Sequence, residues 1–148
     1  MRAAIALVVT AACLGCGTTR AAPGEREWIA NTRGIIRQLQ VDLGELSDAG
    51  TVADAGKTLT DESRLYAALV VYTDFGGCRH MVAAAGQPPA RFAAAERSLG
   101  SACTLLEQAA ALFTRATIEH DAQALVAAGR VTQKASPFLL RAKAALPP

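Results

Sequence analysis

The sequence predicts an all-α fold, most specifically an antiparallel four-helix bundle with one disulfide. Alanine, the strongest helix former, occupies 33 of the 148 positions. Apolar residues recur at three- and four-residue steps in several segments, which is the spacing of one helical face. No segment shows the sustained two-residue alternation of strands. Three long helices, with residues 88–135 continuous, are the alternative arrangement.

The first helix is predicted to begin near Glu25. Glu25 and Glu27 place acidic charge where the dipole of a helix N-terminus favours it. Two Asp-Ala-Gly triplets within residues 48–60 predict a loop after this helix. Between the start of this helix and the loop lies an apolar stripe of Trp28, Ile35, Ile36, Leu39, Leu43 and Leu46.

A second helix is predicted to start at Thr60, because Asp61 and Glu62 follow it as acids of a first turn. Pro88 and Pro89 fit the first turn of a third helix, where a missing N–H costs little. The second stripe is predicted to be Leu65, Ala68, Leu69, Tyr72 and Phe75. The third has the most regular spacing and consists of Phe92, Glu96, Leu99, Cys103, Leu106, Ala110, Phe113 and Thr117, with Glu96 and Thr117 expected near solvent.

A turn is predicted near residues 117–121, although neither glycine nor proline marks it. Ser136 and Pro137 should kink or restart the last helix, because proline removes a backbone donor. The apolar residues of this helix are Leu125, Val126, Phe138, Leu139 and Leu146.

The N-terminal residues predict an export signal. Arg2 precedes the uncharged residues 3–14, which gives the charged and apolar regions of a secretory signal. This run is shorter than the roughly 20 residues that a membrane-spanning helix needs.

Leu14-Gly15-Cys16 ends the run and resembles the lipobox of bacterial lipoproteins, in which a small residue precedes the cysteine that receives diacylglycerol. The resemblance covers only the leader and implies a signal peptide over residues 1–15 and a lipid on Cys16. The small and polar residues that follow predict a flexible tether over 16–24, and the apolar stripes predict a helical domain over 25–148. Leu14 lies one position too close to the cysteine, and Cys13 occupies the usual leucine position. Lipidation at Cys13, or ordinary cleavage near residues 19–21 that releases a soluble secreted protein, are the alternatives.

Cys78 and Cys103 are the two free cysteines that remain if Cys16 carries the lipid, or if ordinary cleavage removes the residues up to 19–21. An even pair of cysteines in an oxidising compartment predicts a disulfide. If the intervening turn is centred near Gln87, the two residues lie about 10 Å out of register along ideal helices, too far for a bond. Gly76 and Gly77 offer a solution, because two glycines weaken a helix and would let residues 78–87 bend alongside the third helix.

No catalytic, cofactor-binding or metal site is predicted, because the chain carries no phosphate-binding glycine loop and no pair of closely spaced zinc ligands. Asp74 is interpreted as a cap of nearby backbone groups rather than as a buried acid. A helical bundle can hold haem between a histidine and a methionine, such as His120 and Met81. A secreted haem or metal carrier is therefore the alternative function.

The formal net charge of +2 argues against nucleic-acid binding. Six acids lie within residues 42–62, whereas four bases and no acid follow Asp121. These bases, Arg130, Lys134, Arg141 and Lys143, predict either charge complementarity between helices or contact with anionic lipid or cell-wall polymer. We therefore expect a lipid-anchored protein on the extracytoplasmic side of the cell envelope, with a non-enzymatic domain of binding or structural role. Its partners would be the membrane, through the lipid, and an envelope protein or polymer.

Overall fold

The computed structural model describes residues 23–54 and 67–148, and every regular element in these two ranges is helical. The first helix, α1, spans Pro23–Asp54. Residues 67–70 are helical and continue into a π-helical turn, Val71–Phe75; together they form α2. The others are α3, Cys78–Ala84, α4, Ala93–Glu119, and α5, Ala122–Ala144, with a 3₁₀ turn, Ala90–Phe92, before α4.

The all-α prediction is confirmed, and the described residues form five helices where four were expected. The difference arises because Gly76 and Gly77 separate α3 from α2. The alternative with residues 88–135 in one helix is wrong, since α4 ends at Glu119. None of the described helices has the length and hydropathy needed to cross a bilayer.

The predicted stripe of α1 is confirmed. Trp28, Ile36 and Leu39 are buried, and Ile35, Leu43 and Leu46 pack against them half-buried. The predicted loop is wrong over residues 48–54, because α1 continues to Asp54. One glycine costs a helix only about 1 kcal/mol relative to alanine, which does not suffice to end it. The rest of that loop and the predicted helix start at residues 60–62 lie outside the described residues.

Within the described residues, the predicted stripe of α2 is wrong apart from Phe75. Leu69 and Tyr72 are 57% and 58% exposed, whereas Val70 and Val71 are buried. The π turn causes this shift: the N–H of Gly76 donates to the carbonyl of Val71, five residues earlier, at 3.0 Å. The wider winding turns the adjacent valines towards the core. Ala68 is also exposed, and Leu65 lies outside the described residues.

Helix α4 lies at the centre of the molecule and packs against α5, α3 and the π turn of α2. Its predicted seam is confirmed: Glu96 and Thr117 are exposed, while the residues between them face the core. Pro88 and Pro89 do not form the first turn of this helix; Pro89 has extended backbone and precedes the 3₁₀ turn. The buried seam residues are Phe92, Leu99, Cys103, Leu106 and Ala110, with Phe113 half-buried.

The turn between α4 and α5 occurs where it was predicted. His120 adopts left-handed backbone with φ 53°, and the Asp121 side chain accepts from the N–H groups of Gln123 and Ala124 at 2.9 and 3.0 Å. This cap satisfies two of the free donors of a helix start and explains how the turn forms without glycine or proline.

Helix α5 is continuous through Pro137, so the predicted restart is wrong. Leu125 and Val126 are also not core residues, since they are 52% and 55% exposed. The buried face consists mainly of small residues: Ala124, Ala128, Thr132, Ala135, Leu139, Ala142 and Leu146. Packing along the whole length of α4 offsets the backbone donor lost at Pro137.

Candidate functional site

Cys78 and Cys103 are joined by a disulfide, with their Cα atoms 5.2 Å apart and both side chains fully buried. The register problem disappears because the helices do not reach the turn near Gln87: α3 ends at Ala84 and α4 begins at Ala93. From Cys78, α3 runs about 9 Å to Ala84, and from Ala93, α4 runs about 15 Å to Cys103. The extended residues 86–89 cover the difference, helped by Gly86 with φ +89°.

Gly76 and Gly77 make the approach of Cys78 to α4 possible. A Cβ at Gly76 would lie 2.8 Å from the carbonyl oxygen of Tyr72, and one at Gly77 would overlap that of Thr73. The N–H of Gly77 instead donates to that Thr73 oxygen at 3.0 Å. Both positions therefore require glycine for the chain to close the π turn and enter α3.

A pair of carboxyl groups, from Asp42 and Asp74, lies next to the π turn. The Gln38 side chain joins them: its Nε2 lies 2.9 Å from Oδ1 of Asp42 and 3.5 Å from Oδ2 of Asp74. Thr73 Oγ1 is 2.7 Å from the other oxygen of Asp74. Asp42 is fully buried, and its Oδ2 has no hydrogen-bond donor among the described residues. We call Gln38, Asp42, Thr73 and Asp74 the carboxyl cluster.

The pKa of Asp42 is raised from its ordinary value of 3.8 to about 6, chiefly by burial and next by the neighbouring Asp74 carboxyl. The hydrogen bond from Gln38 acts against this shift but does not cancel it. A protonated Asp42 can donate from Oδ2, which would satisfy the atom that is otherwise unpartnered. The carboxyl cluster can therefore hold a proton on Asp42 at mildly acidic pH.

Asp42 is the functional candidate that the sequence analysis missed. It lies three residues after Leu39 and four before Leu46, which places an acid on the apolar stripe of α1. That position was the available signal. Asp74 differs from the prediction as well, because its carboxylate contacts the side chains of Gln38 and Thr73 instead of capping the backbone.

A cleft of about 290 Å³ lies between the start of α1, α3 and α4. Trp28 forms its floor and stacks on Phe92 with ring centroids 5.6 Å apart. Arg79 lies on its rim, but Glu107 holds the guanidinium at 3.0 Å and Thr104 accepts from it at 2.8 Å. The cleft can accept a small apolar group, and the cation on its rim already has an acidic partner.

The remaining predicted site residues are not brought together. Cys13 and Cys16 lie outside the described residues. His80 is exposed, and Met81 packs half-buried against the core at the level of the disulfide. His120 ends α4, about 25 Å along the helix from Cys103, so it cannot share a haem with Met81. Within the described ranges, no group of three or more histidine, cysteine or acidic side chains is placed to hold a metal ion.

Comparison of the chain with protein-family models, with curated proteins and with solved structures finds no match in any of the three. The N-terminal sequence and the described helices are therefore the basis on which a function can be proposed.

Proposed function

We propose that this protein is an exported bacterial lipoprotein, anchored by a lipid on Cys16 to the extracytoplasmic side of an envelope membrane. Its helical domain has a non-enzymatic role in binding or structure. The observation that carries the proposal is the buried Cys78–Cys103 disulfide, whose Cα atoms are 5.2 Å apart. Disulfides persist in oxidising compartments and are rare in the cytosol, so this bond supports export.

The leader supports the same location independently. Arg2, the apolar residues 3–14 and the Leu14-Gly15-Cys16 sequence supply a charged region, an apolar region and a cysteine after a small residue. After cleavage before Cys16, seven residue steps would separate the lipid from Pro23. Such a tether reaches at most about 24 Å and would keep the domain next to the membrane.

Two ion pairs between elements support the structural part of this role. Arg79 of α3 pairs with Glu107 of α4, and Arg91 before α4 pairs with Glu25 of α1. These contacts link one element to another across the fold. We also propose that the helices form an antiparallel four-helix bundle in which α2 and α3 together take the place of one helix.

The proposal is tested by the mass and location of the N-terminal peptide in the native host. We expect diacylglycerol on Cys16 and the protein in the membrane fraction, with Cys16→Ala moving it to the soluble fraction. Cys13→Ala is the matched control and should leave both unchanged. A cytosolic chain that retains Met1, with free thiols at Cys78 and Cys103, would contradict export altogether.

A further inference from the structure

Among the residues that the structure describes, the four basic residues of α5 have no acidic partners. Arg130, Lys134, Arg141 and Lys143 are exposed, and α5 contains no acid between its cap, Asp121, and its end. None of the four forms an ion pair within residues 23–54 and 67–148. Their charge is therefore available to an external partner.

Arg130, Lys134 and Arg141 lie in one row along α5. Steps of four and seven residues return a helix to nearly the same side, and the row extends over about 16 Å. The buried Ala128 and Ala135 lie on the roughly opposite side, so the row faces away from α4. We call these three residues the basic row. Arg141 is held over the Phe138 ring, with its guanidinium carbon 4.2 Å from the ring centroid.

Apolar surface accompanies the basic row. Val126 and Leu140 are each 55% exposed on the flanking positions of α5. A groove of about 550 Å³ between α4 and α5 is lined by Leu105, Pro137 and Phe138, next to Lys134. A charged polymer would neutralise the cations but offer nothing to these aliphatic groups. A bilayer surface offers anionic headgroups and, just beneath them, an apolar phase.

We infer that the outward face of α5 binds the anionic headgroups of a phospholipid bilayer through the basic row, with Val126 and Leu140 at the depth of the headgroups. This inference rests on the proposed lipid anchor, whose tether would join the domain at the start of α1. Trp28 of α1 stacks on Phe92 at the start of α4. Because α5 runs antiparallel to α4, the Arg141 end of the basic row lies at that same end of the molecule.

Each lysine or arginine near an anionic surface contributes roughly a five-fold factor to membrane partitioning at moderate ionic strength. Three cations thus predict about a 100-fold factor, which falls as salt shortens the screening length. The apolar neighbours add to this and persist at high salt.

The test measures sedimentation of residues 16–148, the chain that the proposed cleavage leaves, carrying Cys16→Ala. The vesicles consist of phosphatidylglycerol and phosphatidylethanolamine in equal parts, or of phosphatidylcholine. Combining Arg130→Gln, Lys134→Gln and Arg141→Gln should lower partitioning to the anionic vesicles about 100-fold and leave partitioning to phosphatidylcholine unchanged. Arg130→Lys with Arg141→Lys keeps the charge and should keep the binding. Circular dichroism checks that each variant is as helical as the parent.

The matched control combines Arg26→Gln, Arg33→Gln and Arg37→Gln, which remove the same charge over the same eleven-residue span from α1. A similar loss from this control would overturn the inference, since general electrostatics would then suffice. Binding to anionic wall polymer without binding to vesicles would overturn it as well. All these chains lack Cys16, so a positive vesicle result with no lipid on native Cys16 would contradict the proposed anchor alone.

Discussion

The two sides of α4 are held by different physical means. Towards α5, the buried positions are mainly small: Ala102 and Ala109 of α4, and Ala128, Ala135 and Ala142 of α5, all with no exposed surface. Towards α2 and α3, the buried residues are large or chemically special, among them Phe75 and the disulfide cysteines. The buried Ile36 and Asp42 belong to α1, which packs against α5 and α3.

The difference shows how the contacts that hold a helix to α4 depend on the length of that helix. Alanines seven residues apart form a flat stripe that lets two long helices approach closely, and each contact is weak. The α4 and α5 helices, of 27 and 23 residues, repeat that contact many times. The seven-residue α3 is too short for such repetition and is fixed to α4 by a covalent bond and by the Arg79–Glu107 pair.

The largest expected effect is on the α3 side. Replacing Cys78→Ala and Cys103→Ala together should lower the free energy of unfolding by about 3 to 4 kcal/mol, because the unfolded chain regains the freedom of a loop of 25 residues. Urea unfolding of the oxidised parent, the reduced parent and the double variant measures this. Equal midpoints for all three would show that packing alone holds α3 in place.

The next effect concerns the carboxyl cluster. The pKa of Asp42 is about 6 in the folded chain, against about 3.9 for an unfolded aspartate. Because the folded chain binds this proton more tightly, stability should fall as pH rises from about 4 to about 6 and stay lower above that. Asp42→Asn removes the ionisation and can still accept from Gln38. It should raise the free energy of unfolding at pH 8 by about 2 to 3 kcal/mol and change little at pH 4.

Glu45→Gln is the control for Asp42→Asn, since Glu45 is an exposed acid of the same helix. It should shift the unfolding midpoint only slightly at either pH. A gain from Asp42→Asn that is the same at pH 4 and pH 8 would mean that shape, rather than ionisation, is responsible.

The smallest of the three effects tests the alanine seam. Ala109→Leu inserts three carbon atoms between α4 and α5 and should destabilise the fold by about 2 kcal/mol, since overpacking forces the helices apart. Ala111→Leu places the same side chain on the exposed side of α4, two residues away, and should change stability by less than about 0.5 kcal/mol. Thermal unfolding of both variants compares them. A tolerated Ala109→Leu would indicate that the seam is loosely packed.

The sequence was sufficient to predict the buried face of a helix where the helix is regular and its core residues are large. The stripe of α1 and the seam of α4 could be predicted because a bulky apolar residue at every third or fourth position has no better place than the core. The end of α4 could also be placed, since the stripe stops before Asp121, a good helix cap. The Cys78–Cys103 pair could be predicted from the number of cysteines that remain if the chain is exported.

Tertiary structure decided the rest, because it depends on contacts between distant segments. The π turn changes the winding of α2, so a stripe counted at regular steps selected Leu69 and Tyr72 instead of Val70 and Val71. Alanine occurs on both the buried and the exposed faces of helices, so the sequence does not show which face of α5 is buried. Packing against α4 determines that face. The proton affinity of Asp42 is set by burial and by Asp74, which the fold brings to it from α2. The periodicity of one helix carries no information about which helix packs against it or which side chain that helix brings to it.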